Sequence, residues 1–264
     1  MKKPAEKEIC QLEIPVDIDV TAVVNWLRLG RMGPRTEEMA LELAKKARKI
    51  ARPKAIYQVS HARVIDNATV DIDGAIFTSK VLNKLLCNQA TVYPFIATVG
   101  KELDELPIPP KDMMMNFCLD SIKTVVLVTA VDYLAQYVKE KYNIPKIALL
   151  NPGEIEDWHI TQQRPLFGLF KDVEQRIGVS LTSGGVMKPI KSRSGIIFPN
   201  DTGFLSCQLC TQSKCPGRRA KYDPELQKQY LAVTHQRLQT ASSIVRINLK
   251  EYTPVAQMDR AAVS

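Results

Sequence analysis

One stretch of this chain, Lys111 to Tyr142, reads as a single long helix, and most of what surrounds it reads as short strands and hairpins. Asp120, Lys123, Asp132, Gln136, Lys139 and Glu140 punctuate the stretch and give it a solvated side. Strand runs with only one long helical crossover predict an α+β fold rather than a doubly wound sheet. Ala55 to Ile65 and Thr69 to Ile72 alternate apolar and polar residues across an Asp66-Asn67 turn, a hairpin pattern. Thr91 to Gly100 reads as a buried strand, and Lys146 to Leu150 as a short one. Shorter helices are expected over Val20–Gly30, Thr36–Arg52, Ser79–Asn88 and Thr161–Arg176. Thr36 is the expected cap of the second, and Pro53 its end. Asp223-Pro224-Glu225 opens a last helix with cap, proline and acid in the favoured order. There is no G-x-G-x-x-G, no phosphate-cradling loop and no internal repeat.

Composition sets limits on function. Apolar residues make up 45% of the chain and aromatics 6%, so aliphatic packing must build the core. The net charge of +8 favours an acidic partner, although solubility alone accounts for it equally well. No nucleic-acid-binding signature accompanies the basic residues. Met1-Lys2-Lys3 is followed by Pro4-Ala5-Glu6-Lys7-Glu8 rather than by the apolar run of a signal peptide. The longest apolar stretch, Val125 to Val131, is too short to span a bilayer. The expectation is a cytoplasmic chain without a membrane partner. Its six cysteines then read as thiols or metal ligands rather than disulfides.

The segment Leu181 to Phe198, LTSGGVMKPIKSRSGIIF, has a definite skeleton. Leu181, Met187, Ile190, Ile196, Ile197 and Phe198 are core material, while Gly184-Gly185 and the serines up to Gly195 are turn material. Two short strands around a turn are expected. The skeleton resembles Leu-Thr-Glu-Ser-x-x-Met-x-Pro-x-x-Ser-x-Ser-Gly-x-x-Phe of the reactivation domain of cobalamin-dependent methionine synthase. The likeness extends from about Val20 to Cys210 and includes Phe95 to Gly100, an apolar strand ending in Thr-x-Gly, and Val131 to Ala135 in the long helix.

That resemblance implies a C-shaped α+β domain, a twisted antiparallel sheet braced by helices, in a stand-alone version. It implies docking over the cobalamin of a corrinoid-binding protein or methionine synthase core, and S-adenosylmethionine binding. The residues carried over for the cofactor are Asn151, Pro152 and Gly153, then Trp158, Ser192, Ser194, Gly195 and Phe204. Trp158 and His159 could line a pocket, and Trp158 could equally anchor its loop to the core. The departures are definite. The family loop reads Arg-Pro-Ala-x-Gly-Tyr-Pro, whereas this chain reads Leu149-Leu150-Asn151-Pro152-Gly153-Glu154-Ile155. The arginine that would pair with a carboxylate is missing, and its loss weakens binding by about a hundredfold. The family's acidic helix contact falls near Asp132 or Gln136.

Beyond this region lies Cys207-Gln208-Leu209-Cys210, then Cys215-Pro216-Gly217-Arg218-Arg219. C-x2-C with a third cysteine suits zinc or, with a distant fourth ligand, an iron–sulfur cluster. Cys10, Cys87, Cys118 and His235 are candidate fourth ligands, with Cys87 and Cys118 expected to be buried and inert. A redox-active thiol pair is the second possibility, and a stretch without function the third.

The expected organisation is an arm over 1–20, the reactivation-like domain over 20–205, the cysteine cluster and last helix over 206–252, and a tail over 253–264. The expected role is assistance in reductive reactivation or remethylation of a partner's cobalamin, with the Cys207, Cys210 and Cys215 cluster able to deliver electrons to it from an electron-donor partner. The alternative is a non-enzymatic assembly module with a structural cysteine metal site.

Overall fold

The computed structural model of the chain describes residues 8–16, 33–109, 111–215 and 217–232. The expected helix at Val20–Gly30 and the tail at 253–264 lie outside the described residues, as does most of the 1–20 arm.

The sheet is antiparallel throughout and is organised on one central strand. In chain order the first elements are β1 (Ile9–Glu13), α1 (Pro34–Ile50), β2 (Lys54–Gln58), β3 (Ser60–Val64), β4 (Thr69–Ile72), β5 (Ala75–Thr78), α2 (Lys80–Leu86) and β6 (Thr91–Thr98). After them come α3 (Met113–Lys141), β7 (Ile147–Leu150), α4 (Gln163–Gly168), α5 (Val173–Ile177), the two-residue strands β8 (Ser180–Leu181) and β9 (Met187–Lys188), β10 (Ser192–Pro199) and α6 (Pro224–Leu231). One edge of β6 pairs with β2 and then β3, and the other with β10, which in turn pairs with β7. β1 lies outside β2, while β4 and β5 extend from β3.

Seven of the eight β6 residues are buried, because both faces of the sheet are covered. Ile96 packs on one face with Ile56, Leu150, Ile196 and Phe198. Tyr93, Phe95 and Ala97 pack on the other with Ile197 and with Ala130, Val131, Leu134 and Val138 of α3. Pro94 has no N–H to donate. It sits where the neighbouring ladder is interrupted, between the Tyr57–Phe95 and Ser60–Val92 pairs. The single strand expected over Ala55–Ile65 breaks there, and Gln58 donates through Nε2 to Ser60 Oγ at 3.0 Å across the break.

α3 runs 29 residues, and Asp112 caps it by accepting from the Met115 N–H at 2.9 Å. Its length and composition would also suit a bilayer span. Here its inner residues are core: Leu119, Ile122 and Val126 pack against α1, and Leu134 and Val138 against the sheet.

Several local expectations need correction. α1 starts at Pro34 behind a left-handed Gly33, not at a Thr36 cap. The Thr161–Arg176 helix is broken into α4 and α5, with Asp172 left-handed at φ 57° between them. Gly168 closes α4, so the chain turns Phe170 inward instead of continuing. Met113 is 83% exposed and Met114 is also exposed, while Met115 packs against the core between α1 and α3. Cys87 is exposed, while Cys118 is buried as expected and burial pushes its thiol pKa up. Ile190 is 75% exposed, and Leu181 and Met187 are only half-buried.

Candidate functional site

The loop after β7 folds back on itself through Gly153, whose N–H donates to the Trp158 carbonyl at 2.7 Å. Gly153 has φ +83°, a conformation that a side chain would strain. Trp158 is fully buried in the core, edge-on to Phe77 at 6.2 Å between ring centroids. It anchors the loop to the core. Its neighbour Asp157 ties the loop to α2: its carboxylate accepts from the Ser79 hydroxyl at 2.5 Å and the Val81 N–H at 2.9 Å. Two donors at the helix start are thereby satisfied by one charged group.

The other expected cofactor residues lie behind this loop. Asn151 and Pro152 are buried. Gly195 faces them so closely that a Cβ there would come within 2.3 Å of Asn151 Oδ1 and 2.7 Å of the Leu150 carbonyl. Ser192 is satisfied, donating to the Pro189 carbonyl at 2.7 Å and partnering Thr98 Oγ1 at 2.9 Å. Ser194 is buried, and its hydroxyl is an orphan, as are Asn151 Oδ1 and the Trp158 indole N–H. Phe204 packs on Tyr230 and lines a different cleft, of about 400 Å3, beside Lys84 and Leu226. Gly153 alone of the expected group opens onto the cleft next to its loop.

That cleft, of about 310 Å3, joins two features far apart in sequence. One wall is Gly153, Glu154, Glu156, His159 and Ile160; the other is the turn from Leu209 to Gln212, which includes Cys210. Glu154 clamps the walls: it accepts from Asn151 Nδ2 at 2.7 Å and from the Ser206 hydroxyl at 2.7 Å. His159 contacts Thr161 Oγ1 through Nδ1 at 2.9 Å. Glu154, Asp157 and Ser206 carry this geometry, and sequence reasoning missed them. Their only signal was the acidic cluster after Gly153.

The cysteine loop is organised by a guanidinium. Arg218 donates to the carbonyls of Cys207 (3.0 Å), Ala220 (3.0 Å), Cys210 (2.8 Å) and Gln212 (2.7 Å). Cys207, Cys210 and Cys215 are free thiols, each half-buried. Among the described residues, no three Cys, His, Asp or Glu side chains are grouped to hold a metal ion. Of the two expected helix contacts, Asp132 meets Arg219 at 3.5 Å and Gln136 bonds Glu140 at 2.6 Å.

The site thus belongs to an α+β domain with an antiparallel sheet braced by helices. A solved structure, the MetH reactivation domain bound to AdoHcy, has a similar fold: the TM-score is 0.54 at 15% identity, over 76% of this chain and 82% of that one. No protein-family model matches the chain. No curated protein matches it either.

Proposed function

We propose that this protein is a cytoplasmic accessory to a corrinoid protein, assisting reductive reactivation or remethylation of the partner's cobalamin. The observation that carries the reading is the fold shared with the MetH reactivation domain, joined to the Leu181–Phe198 skeleton on β8 to β10, whose Gly195 packs against Leu150 and Asn151 at the base of the Gly153 loop. The cleft is at the lower end of the size of small-molecule sites, which run from about 300 to 1,000 Å3.

The residues fit an S-adenosyl ligand in a specific sense. Glu154 and Glu156 suit a sulfonium or ammonium, and among the described residues no arginine or lysine lines the cleft to meet a carboxylate. S-adenosylmethionine would supply an electrophilic methyl group there. The chain's own part is to hold the ligand between the Gly153 loop and the Leu209–Gln212 turn and to present it to the partner's corrinoid.

Calorimetric titration with S-adenosylmethionine and S-adenosylhomocysteine tests the cleft. The charged sulfonium should bind more tightly than the neutral thioether, and Glu156→Gln should weaken it about threefold, the scale of an exposed charge contact. Equal or absent binding of both ligands sinks the ligand reading. A change in the visible spectrum of a corrinoid protein on adding this chain tests the partner, and an unchanged spectrum counts against it.

A further inference from the structure

The cysteine loop has a property that the proposed function does not require. In metal knuckles a cation ties such a loop together by taking its thiolates as ligands. Here the Arg218 guanidinium ties the loop by its main-chain carbonyls, including those of both Cys207 and Cys210. The thiols are left out of that scaffold and remain free. The Cys210 N–H turns back toward the Cys207 carbonyl at 3.4 Å. A four-residue turn closed this way keeps its end Cα atoms within about 7 Å. A disulfide spans about 4.4–6.8 Å between Cα atoms, so the turn holds the two cysteines at bridging range.

Their surroundings differ. Cys210 lines the cleft beside Gly153 and Glu156. Cys207 is set back, and its Sγ accepts from the Arg219 N–H at 3.4 Å. Cys215, five residues on from Cys210, accepts through its carbonyl from the Arg218 N–H at 3.2 Å.

We propose that Cys207 and Cys210 are a redox-active dithiol that exchanges with a low-molecular-weight disulfide entering the cleft. The Cys210 thiolate attacks one sulfur of that disulfide. The S–S bond breaks, one thiolate leaves, and a mixed disulfide forms on Cys210. The Cys207 thiolate then attacks the Cys210 sulfur and expels the second thiolate. Two electrons pass from the dithiol to the small disulfide, and the two thiol protons go to solvent or to the released thiolates. The reverse sequence reduces the protein with two small thiols. The inference needs neither an S-adenosyl ligand nor a corrinoid partner, so the two readings fail independently.

The experiment treats the full chain with glutathione disulfide, quenches with acid and maps thiols by mass spectrometry. In the wild type, Cys207 and Cys210 should join in one internal disulfide that dithiothreitol reverses. Exposed Cys87 should carry glutathione, reporting ordinary access. Cys207→Ser should trap glutathione on Cys210, because the resolving thiol is gone. Cys210→Ser should react at Cys207 about tenfold more slowly than Cys210 reacts in the wild type. Arg218→Gln should let the mixed disulfide accumulate, with circular dichroism checking the fold. Glutathione retained on wild-type Cys210, a bridge to Cys215, reaction at Cys87 alone, or stoichiometric zinc or iron that shields the thiols would each overturn the proposal. Should the variants fail to fold, the wild-type map decides alone.

Discussion

The two faces of the sheet are built in opposite ways. On one, α3 lays Ala130, Val131, Leu134 and Val138 over Tyr93, Phe95 and Ala97, one regular helix on one pleated surface. On the other, short helices and loops cover Ile56, Ile96 and Phe198, and Asn151 and Trp158 of the cover and Ser194 of β10 have unpartnered polar atoms. Buried polar groups left without partners are costly and rare. The helical face therefore has the character of a scaffold. The looped face carries the clamp at Glu154, the left-handed Gly153 and the cleft, and it is there that the proposed function places ligand contacts.

Truncations give the largest test of this contrast. Trp158→Ala should cost about 4 kcal/mol and Leu134→Ala about 3 kcal/mol in urea unfolding. Only the Trp158 variant should also change thiol exchange at Cys210, because only it releases the cleft wall. If Leu134→Ala disturbs the cleft equally, the two faces are not separable.

Gly195→Ala comes next. The new methyl would be driven against the Leu150 carbonyl and Asn151, a loss on the order of 3 kcal/mol. A melting curve unchanged from wild type would show that β7 and β10 are not pressed together.

Asp157→Asn removes the charge that caps α2 from the loop. The expected loss is about 1–2 kcal/mol. It should fall on the looped face, as faster hydrogen exchange in α2 with α3 unaffected.

The smallest effect appears only in alkali. Tyr57 is buried on the helical face, where desolvation, then its contact with Tyr142, pushes its pKa above the ordinary value. Lys141 also donates to its hydroxyl at 3.0 Å. The folded state keeps the phenol proton after the unfolded state has lost it. The stabilisation is therefore complete below about pH 10 and declines as the pH rises beyond it. Unfolding free energy measured from pH 9 to 11 should fall, and Tyr57→Phe should flatten that slope. A slope identical in the variant would assign the effect to another group.

Much of the fold was legible in the sequence because periodicity records which faces are buried. The long helix, the β6 and β7 strands, the first hairpin and the last helix were all marked by apolar spacing and by caps such as Asp223, which accepts from the Leu226 N–H at 2.9 Å. The break between α4 and α5 was not legible, because Phe167, Leu169 and Phe170 keep helical spacing while Gly168 and Asp172 redirect the chain. Ile190 misled for a related reason: apolar character says a residue can be buried, not that something covers it.

The site divides along the same line. Residue types and spacing alone marked the C-x2-C turn, whereas the Gly153 loop and the Ser192–Gly195 strand were marked as site residues only by the resemblance to the reactivation domain. Tertiary structure decided that Gly153 and Cys210 share one cleft, that Trp158 supports it from behind, and that Arg218 holds the thiol loop by its carbonyls. Contacts such as Glu154 to Ser206, 52 residues apart, depend on where the sheet brings distant loops together, and no local pattern encodes that.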